Sequence, residues 1–388
     1  MCLIFCHVLR KKTIVLLAGI ALMAAGCTKT EVITSGTEGT QKGIGFSAYT
    51  AKPTKAAQED VTTSNLTSFQ ASAIGNGSVY FNNVTFTKGA SVWVSSPVYF
   101  WPAYPLNFYA YNTPANTTGF DITMNNETQS VKVTPAADLE NQEDLVAAYA
   151  EAQSESNATH LDSSLPLTFN HYLTQVVVNA LSTNSNYTVV VNGVKLANLA
   201  GEGTYTFSTE TMEAPADKIN SATSSDYDEE FDAKTLTTSS QEVMKSGADG
   251  GRWYLIPQGV TSWVKDSDSE KTNASHGTYI GLKVKITTTT GDFKVYPRTG
   301  EPFAWMAIPV PAELKFEQGK KYVVTIKFFG ESGNGGAGNV DPEQPGDLDG
   351  DGEKNDDAGK KIIGGAIKFD ASVESWEDAN TVNVTINL

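Results

Sequence analysis

Phe69-Gln70-Ala71-Ser72-Ala73-Ile74, then Gly75-Asn76-Gly77, then Val79-Tyr80-Phe81 and Val84-Thr85-Phe86, is the stretch that decides the fold class. Phe69, Ala71 and Ala73 fall on one side of a period-two pattern and Gln70 and Ser72 on the other, which is the signature of a half-buried strand. The glycine-asparagine-glycine turn then reverses the chain, so the stretch reads as a β-hairpin. Working outward, Ser91-Val92-Trp93-Val94, Val98-Tyr99-Phe100-Trp101, Leu106 to Tyr111, Phe120 to Met124 and Val131-Lys132-Val133 repeat the theme. They are short, aromatic or β-branched, and separated by Pro, Gly and Asn, so the expected class is all-β with sandwich architecture.

The polar stretch Glu151 to Ser164 interrupts this series and is taken as a domain boundary. A second series follows: Thr174 to Val178, Tyr187 to Val191, Tyr205-Thr206-Phe207, Tyr254-Leu255-Ile256, Tyr279 to Ile286, Phe293 to Tyr296, Met306-Ala307-Ile308 and Lys321 to Ile326. Two domains are the natural expectation at 388 residues. The organisation expected is a signal peptide over 1–26, a tether over 27–43, an N-terminal β-sandwich over 44–158 and a C-terminal one over 159–388. The second carries a Gly/Asp-rich insertion at 330–365.

The extreme N-terminus carries an address. Arg10, Lys11 and Lys12 precede an apolar run from Ile14 to Met23 that ends in Ala24-Ala25-Gly26-Cys27. The run is too short to span a bilayer, and the small residues before Cys27 form the cleavage site of a bacterial lipoprotein signal peptide. Cys27 is therefore the expected lipidation site, with acyl chains such as palmitate tethering an otherwise soluble chain to a membrane surface. Met1 to Leu9 reads as an upstream start extension.

Composition restricts the chemistry. Cutting before Cys27 removes three basic residues and no acidic one, leaving 25 Lys and Arg against 44 Asp and Glu. Such an excess of negative charge argues against nucleic acid as a partner. The one cysteine left is the lipidated one, so disulfides, thiolate metal sites and a cysteine nucleophile are unavailable. His160, His171 and His276 lie far apart, with no HExxH, GxSxG, Walker or GxGxxG pattern around them. No enzymatic activity is expected and no cofactor is required. His171, inside the alternating Leu167-Thr168-Phe169-Asn170-His171, reads as a structural histidine.

Several segments also carry a family resemblance. Tyr99-Phe100-Trp101-Pro102 leads into Leu106 to Tyr111. Gln142-Glu143-Asp144-Leu145-Val146-Ala147-Ala148 follows, then Pro166 to Val176, Tyr254-Leu255-Ile256-Pro257-Gln258, Phe316 to Tyr322, and finally Ile367-Lys368-Phe369 through Val373-Glu374-Ser375-Trp376. In this order, after a lipobox, they resemble the fimbrillins of Bacteroidales, the subunits of type V fimbriae. The resemblance implies two transthyretin-like β-sandwich domains, export to the cell surface, and assembly with other fimbrial subunits or with further copies of the chain. It also implies the mode of assembly: a protease removes an N-terminal strand after a basic residue, and a C-terminal strand from another subunit fills the groove.

The residues can be held against that scheme. Thr381 to Leu388 alternates strictly, with Val382, Val384, Ile386 and Leu388 on one face, as an insertable donor strand would. Burying four such side chains gains about 1.5–3 kcal/mol each before ordering costs. The same strand could equally complete its own sandwich. At the other end, Gly43 to Thr50 places Ile44, Phe46 and Ala48 inward, and Lys55 follows where fimbrillins usually carry arginine. Between Cys27 and Arg252 there is no arginine, so Lys55 is the candidate processing site, with an ordinary loop lysine as the alternative. An unprocessed chain would serve as an anchor or tip subunit, or as a surface lipoprotein that binds a host or bacterial glycan or protein.

Two further features carry expectations. Asp347-Leu348-Asp349-Gly350-Asp351-Gly352-Glu353 spaces carboxylates as a calcium loop does, but Ala358 stands where the closing glutamate belongs. Asp347, Asp349, Asp351 and Glu353 are therefore candidate calcium ligands, against the alternative of a flexible acidic linker. The acidic run Asp226 to Asp232 is read as a solvated loop. Of Trp93, Trp101, Trp253, Trp263, Trp305 and Trp376, Trp101 and Trp305 are expected in cores, and Trp263 is the one expected at the surface to stack on a sugar.

Overall fold

The computed structural model describes residues 42–50, 61–112, 121–125, 127–160, 163–216, 225–245, 251–264, 277–311, 313–364, 367–375 and 382–384. Strands dominate; the described helical turns are the short 3-10 segments Leu139–Asn141 and Glu155–Asn157. Among the described residues no helix is long and apolar enough to cross a membrane.

The N-terminal strands are β1 (Gly45–Thr50), β2 (Ser68–Gly75), β3 (Ser78–Lys88), β4 (Trp93–Ser95) and β5 (Leu106–Tyr111), then β6 (Asp121–Asn125), β7 (Ser130–Thr134), β8 (Val146–Gln153) and β9 (Leu165–His171). Seven of them close into a barrel in the order β1-β4-β3-β2-β5-β8-β9. The hairpin of β2 and β3 forms as its sequence requires, with Asn76 at φ 49° and Gly77 at φ 71°. A two-residue turn of that hand needs positive φ at both positions, which asparagine and glycine tolerate. Phe69, Ala71 and Ala73 all point inward, with no side-chain exposure.

One boundary shifts. The expected break at 158/159 falls a strand early, because β9 follows the polar stretch and closes the barrel. It pairs in parallel with β1 from Phe46–Leu165 to Thr50–Phe169, burying Leu165, Leu167 and Phe169 in the barrel core.

The second series builds two packed sheets. One runs β15 (Gln241–Glu242), β10 (Thr174–Ser182), β22 (Lys320–Phe328), β24 (Lys368–Ser375), β25 (Val382–Val384), with β16 (Trp253–Leu255) also on β10. The other runs β14 (Ser225–Thr235), β11 (Tyr187–Leu199), β18 (Tyr279–Thr288), β20 (Ala304–Pro309), β23 (Asn339–Val340), with β19 (Lys294–Tyr296) also on β18. Alternation sets which side chains meet between them: Ile280, Leu282, Val284 and Ile286 from β18 face Tyr322, Val324, Ile326 and Phe328 from β22 in one core. A short pair, β17 (Gln258–Gly259) with β21 (Lys315–Phe316), flanks it.

The two units share a third core. The sheet β13 (Thr211–Glu213), β12 (Gly203–Thr206), β7, β6 takes strands from both halves of the chain. Under it Tyr109, Tyr172, Tyr205, Phe207 and Ile256 pack together, with Tyr172 stacked on Tyr205 at 4.9 Å. Gln142 bridges the halves: its Nε2 donates to Ala136 O and its Oε1 accepts from Tyr254 N at 2.7 Å.

The acidic run is not a solvated loop. It is β14, paired with β11 through Leu196–Tyr227, Lys195–Asp228 and Val194–Glu229. Tyr227 and Glu229 are buried and Phe231 is half-buried on the same side, while Asp228, Glu230 and Asp232 face solvent. A period-two strand was hidden beneath a charge run.

Glu229 Oε1 accepts a hydrogen bond from Lys245 N at 2.8 Å, but Oε2 has no partner. Burial pushes this carboxyl up to about 7, against the opposing pull of the Lys245 N–H and the Lys234 ammonium. The folded protein therefore holds a proton that the unfolded chain releases near 4.5, so Glu229 makes stability fall as pH rises from about 4.5 to 7, with no further change above. Glu229→Gln is expected to remove that fall, so urea unfolding at pH 5 and pH 8 should differ less in the variant than in the wild type.

Candidate assembly site

β1 is a narrow strap held on both sides. It pairs antiparallel with β4 through Gly45–Val94 and Phe46–Trp93, and parallel with β9. Upstream, Ile44 N donates to Tyr99 O at 2.7 Å, and Trp101 N donates to Lys42 O at 3.1 Å. Ile44, Phe46 and Ala48 are all buried, as their spacing predicts. The Phe46 ring lies 5.8, 4.8 and 5.2 Å from Phe69, Phe86 and Phe108. Phe169 packs on Phe69 at 5.0 Å, and Trp93 Nε1 donates to Leu66 O.

Without β1, two consequences follow from this geometry. The edges of β4 and β9 lose their ladder partners, and a slot floored by Phe69, Phe86, Phe108 and Phe169 opens to water. An extended segment with aliphatic side chains at every second position satisfies both needs. These lining residues were not singled out from the sequence, although each sits at an inward position of an alternating strand and the period identifies it.

The last strand stands at a sheet margin. β25 pairs with β24 alone, through Val373–Val382, Ser372–Asn383 and Ala371–Val384. Of the four donor-strand candidates, Val382 and Val384 are thus placed on an edge of the chain's own second sandwich. Ile386, Leu388, Lys55 and Cys27 lie outside the described residues.

The segment between β22 and β24 is folded, not a flexible linker: Ala337, Val340, Asp341, Asp347, Asp357 and Ala358 have no measurable exposure. Carboxylate oxygens of Asp347, Asp349 and Asp357 lie within 4.8 Å of one another, as do those of Asp349, Asp351 and Asp356; Glu353 joins neither trio. The loop's own groups already engage them. Asp347 accepts from Gly350 N at 2.7 Å, from Gly352 N at 3.3 Å and from the Thr299 hydroxyl. Asp357 accepts from Leu348 N at 2.6 Å and meets Lys360 Nζ at 3.0 Å. The Thr299 hydroxyl and these backbone donors hold the Asp347 carboxyl below its ordinary value.

Of the remaining expectations, His171 is fully buried and its Nδ1 lies 2.9 Å from Asp144 Oδ2, which also accepts from Val61 N at 2.7 Å. That is a structural arrangement at the end of β9. Trp101 and Trp305 are core residues, at 4% and 6% exposure. Trp263 reverses its expectation. At 2% exposure it packs with Ala197, Tyr279 and Ala307 over the outer face of a sheet. The small side chains of Ala197 and Ala307 leave the room, and a parallel bridge from Ser262 to Thr278 folds the loop down onto them. Trp93 and Trp253 are buried too, so no tryptophan among the described residues offers a face to a sugar.

The sequence pattern of the family described as Fimbrillin-like matches residues 30–342. The chain belongs to that family. Among solved structures it is similar to a fimbrial protein from Bacteroides vulgatus, at 17% identity and TM-score 0.52, over 86% of this chain and 99% of that one. It is also similar to a candidate cell adhesion protein from Bacteroides uniformis, at 13% identity and TM-score 0.41, over 88% and 100%. A third similar structure is the fimbrial anchor protein Mfa2 from Porphyromonas gingivalis, at 10% identity and TM-score 0.28, over 74% and 91%. No curated protein matches the chain. The Fimbrillin-like assignment places the protein among fimbrial components of the cell surface.

Two outcomes follow from the geometry. Phe46→Ala empties the centre of the barrel's aromatic cluster and is expected to cost about 3–5 kcal/mol in urea unfolding. Asp347→Ala leaves the Gly350, Gly352 and Thr299 donors without an acceptor and is expected to cost about 1–3 kcal/mol. The Asp347→Ala loss should be equal in calcium and in EGTA; a loss confined to calcium would put an ion in the loop.

Proposed function

We propose that this fimbrillin-like protein is a structural subunit of a cell-surface fimbria, tethered through Cys27 until processing and joined to its neighbours by strand addition. In this reading proteolysis at Lys55 releases β1, and a strand with the pattern Val382, Val384, Ile386, Leu388 from a second subunit takes its place between β4 and β9. The observation that supports it most is β1 itself. It is a strand ahead of the candidate cleavage site, bonded on both edges, filling an aromatic slot that no other described strand fills.

The placement of β25 suits the donor role. A three-residue strand bonded to one neighbour at a sheet margin is among the first elements to open locally. Its transfer exchanges one edge ladder for a slot with partners on two sides. Partners are accordingly other subunits of the fimbria or further copies of this chain, with the outer membrane as the initial site of attachment. The loop of Asp347 and Asp357 stands in the connection that delivers β24 and β25, so its closure by Thr299 and Lys360 keeps that connection short.

The test is an unheated SDS gel of outer-membrane fractions, blotted for this protein. The full chain should give a ladder of multimers, and both deletion of Val382 to Leu388 and Lys55→Ala should collapse it to monomer. A single monomer band from the full chain would overturn the polymerising role and leave a fimbrial anchor, a tip adhesin or a glycan-binding lipoprotein.

A further inference from the structure

A buried lysine and a buried aspartate meet on the outer face of the sheet β14-β11-β18-β20-β23. Lys195, on β11, is 1% exposed, and Asp341, directly after β23, is 0% exposed. Lys195 Nζ lies 2.8 Å from Asp341 Oδ2. Among the described residues neither Nζ nor Oδ2 has a partner in hydrogen-bond geometry. An ion pair buried this deeply is ordinarily compensated by hydrogen bonds to all its spare donors and lone pairs, and here the compensation reaches only the far oxygen, Asp341 Oδ1.

The surroundings are arranged around the carboxyl group. Asp341 Oδ1 accepts from Glu343 N and from Gln344 N, both at 2.9 Å, and Asp341 N donates to Trp305 O at 3.2 Å. Two backbone N–H groups on one carboxyl oxygen polarise it as the donors of an oxyanion hole do. The lysine arm lies across β18 at Gly281, its cross-strand partner, where a Cβ would stand 2.5 Å from Lys195 Cγ. The rings of Tyr279 and Trp305 stand 5.1 and 5.4 Å from Nζ and shut out water. Further acidic groups border the pair: Asp228, opposite Lys195 on β14, then Asp226, and Glu343, whose Oε2 lies 3.5 Å from Tyr279 Oη.

We propose that Lys195 and Asp341 join through an intramolecular amide, formed by attack of Lys195 Nζ on Asp341 Cγ with loss of water. The ammonium first passes a proton across the contact to Oδ2, giving an amine and a carboxylic acid, the neutral pair that a dry site favours. The nitrogen lone pair adds to Cγ, whose developing charge on Oδ1 is held by the Glu343 and Gln344 N–H groups. The C–Oδ2 bond then breaks, Oδ2 leaves as water with a second proton from the nitrogen, and Oδ1 remains as the amide carbonyl with both of its hydrogen bonds. One ammonium and one carboxylate become one amide and one water, so no oxidant or other reactant is needed. Partial burial and the Asp226 carboxylate push Glu343 up to about 7, so its carboxyl holds a proton for part of the time at the outer end of the cluster. Glu343 acts on the pair as a positioning residue through its N–H.

This inference does not depend on strand addition, and either can fail without the other. Folded, mature protein is denatured and digested with trypsin, and the peptides are weighed. The expected result is a joined peptide carrying Lys195 and Asp341, lighter than its two parts by one water, with no cleavage after Lys195. Lys195→Arg and Asp341→Ala should each give separate peptides, whereas Asp341→Asn should give the same joined product, because ammonia can leave in place of water. Separate peptides of full mass from the folded wild type would overturn the proposal, whatever the variants do.

Discussion

The structure depends on how β1 is held. A strand of six residues pairs with β4 on one edge and β9 on the other, and the Phe46 ring it carries sits among Phe69, Phe86 and Phe108. The other barrel strands pair in an antiparallel run from β4 to β9 that would stop at two open edges. β1 supplies the missing partner to both, and it is the first of the described elements in the chain. A strand that is energetically central and topologically terminal is unusual, because it can be withdrawn without rethreading anything. Its value to the fold and its suitability for exchange have the same origin.

The parts of this architecture that the sequence revealed are those governed by a single periodicity. Ile44, Phe46 and Ala48, or Ile280 through Ile286, alternate cleanly, so their burial could be stated from spacing alone. What escaped was decided by partners far away in sequence. The β14 run looked like a solvated loop because its charges outnumber its apolar residues, yet Tyr227 and Phe231 mark a face that only the neighbouring β11 makes sense of. Trp263 looked exposed because its flanks are polar, and only the alanines at 197 and 307 explain the hollow that receives it. The domain boundary moved because a parallel pairing of β9 with β1 joins segments separated by most of the barrel, and local pattern carries no information on such pairings.

The candidate assembly site divides in the same way. The alternation at Val382 and Val384 and the inward face of β1 were legible in the sequence, and Ile44, Phe46 and Ala48 are buried as their spacing predicts. The slot that β1 fills was not, because its lining comes from β2, β3, β5 and β9 together. The acidic loop was read as four candidate ligands, Asp347, Asp349, Asp351 and Glu353, whereas the structure groups Asp347 and Asp349 with Asp357, and Asp349 and Asp351 with Asp356. Its folded character was not legible, since what closes it is Thr299 from another loop and the deep burial of residues that look small and flexible in sequence.

The contact of Lys195 with Asp341 bears on how such a subunit would carry load. Tension applied at the C-terminus acts first on β25 and β24, which are bonded to each other and to β22. If they peel, the next length of chain to be drawn out is the segment between β22 and β24, and Asp341 lies within it. Hydrogen bonds to Trp305 O and from Glu343 N and Gln344 N hold that point through non-covalent contacts, which yield one after another under force. An amide to Lys195 would transfer the load directly to β11, an interior strand of the opposite sheet, with everything between Lys195 and Asp341 shielded from the pull. The barrel end needs no such brace, because β1 there is bonded along both edges and must be sheared rather than peeled. Gly281, which clears a path for the lysine arm across β18, is the residue on which this division of labour turns, since any side chain at that position would collide with the arm.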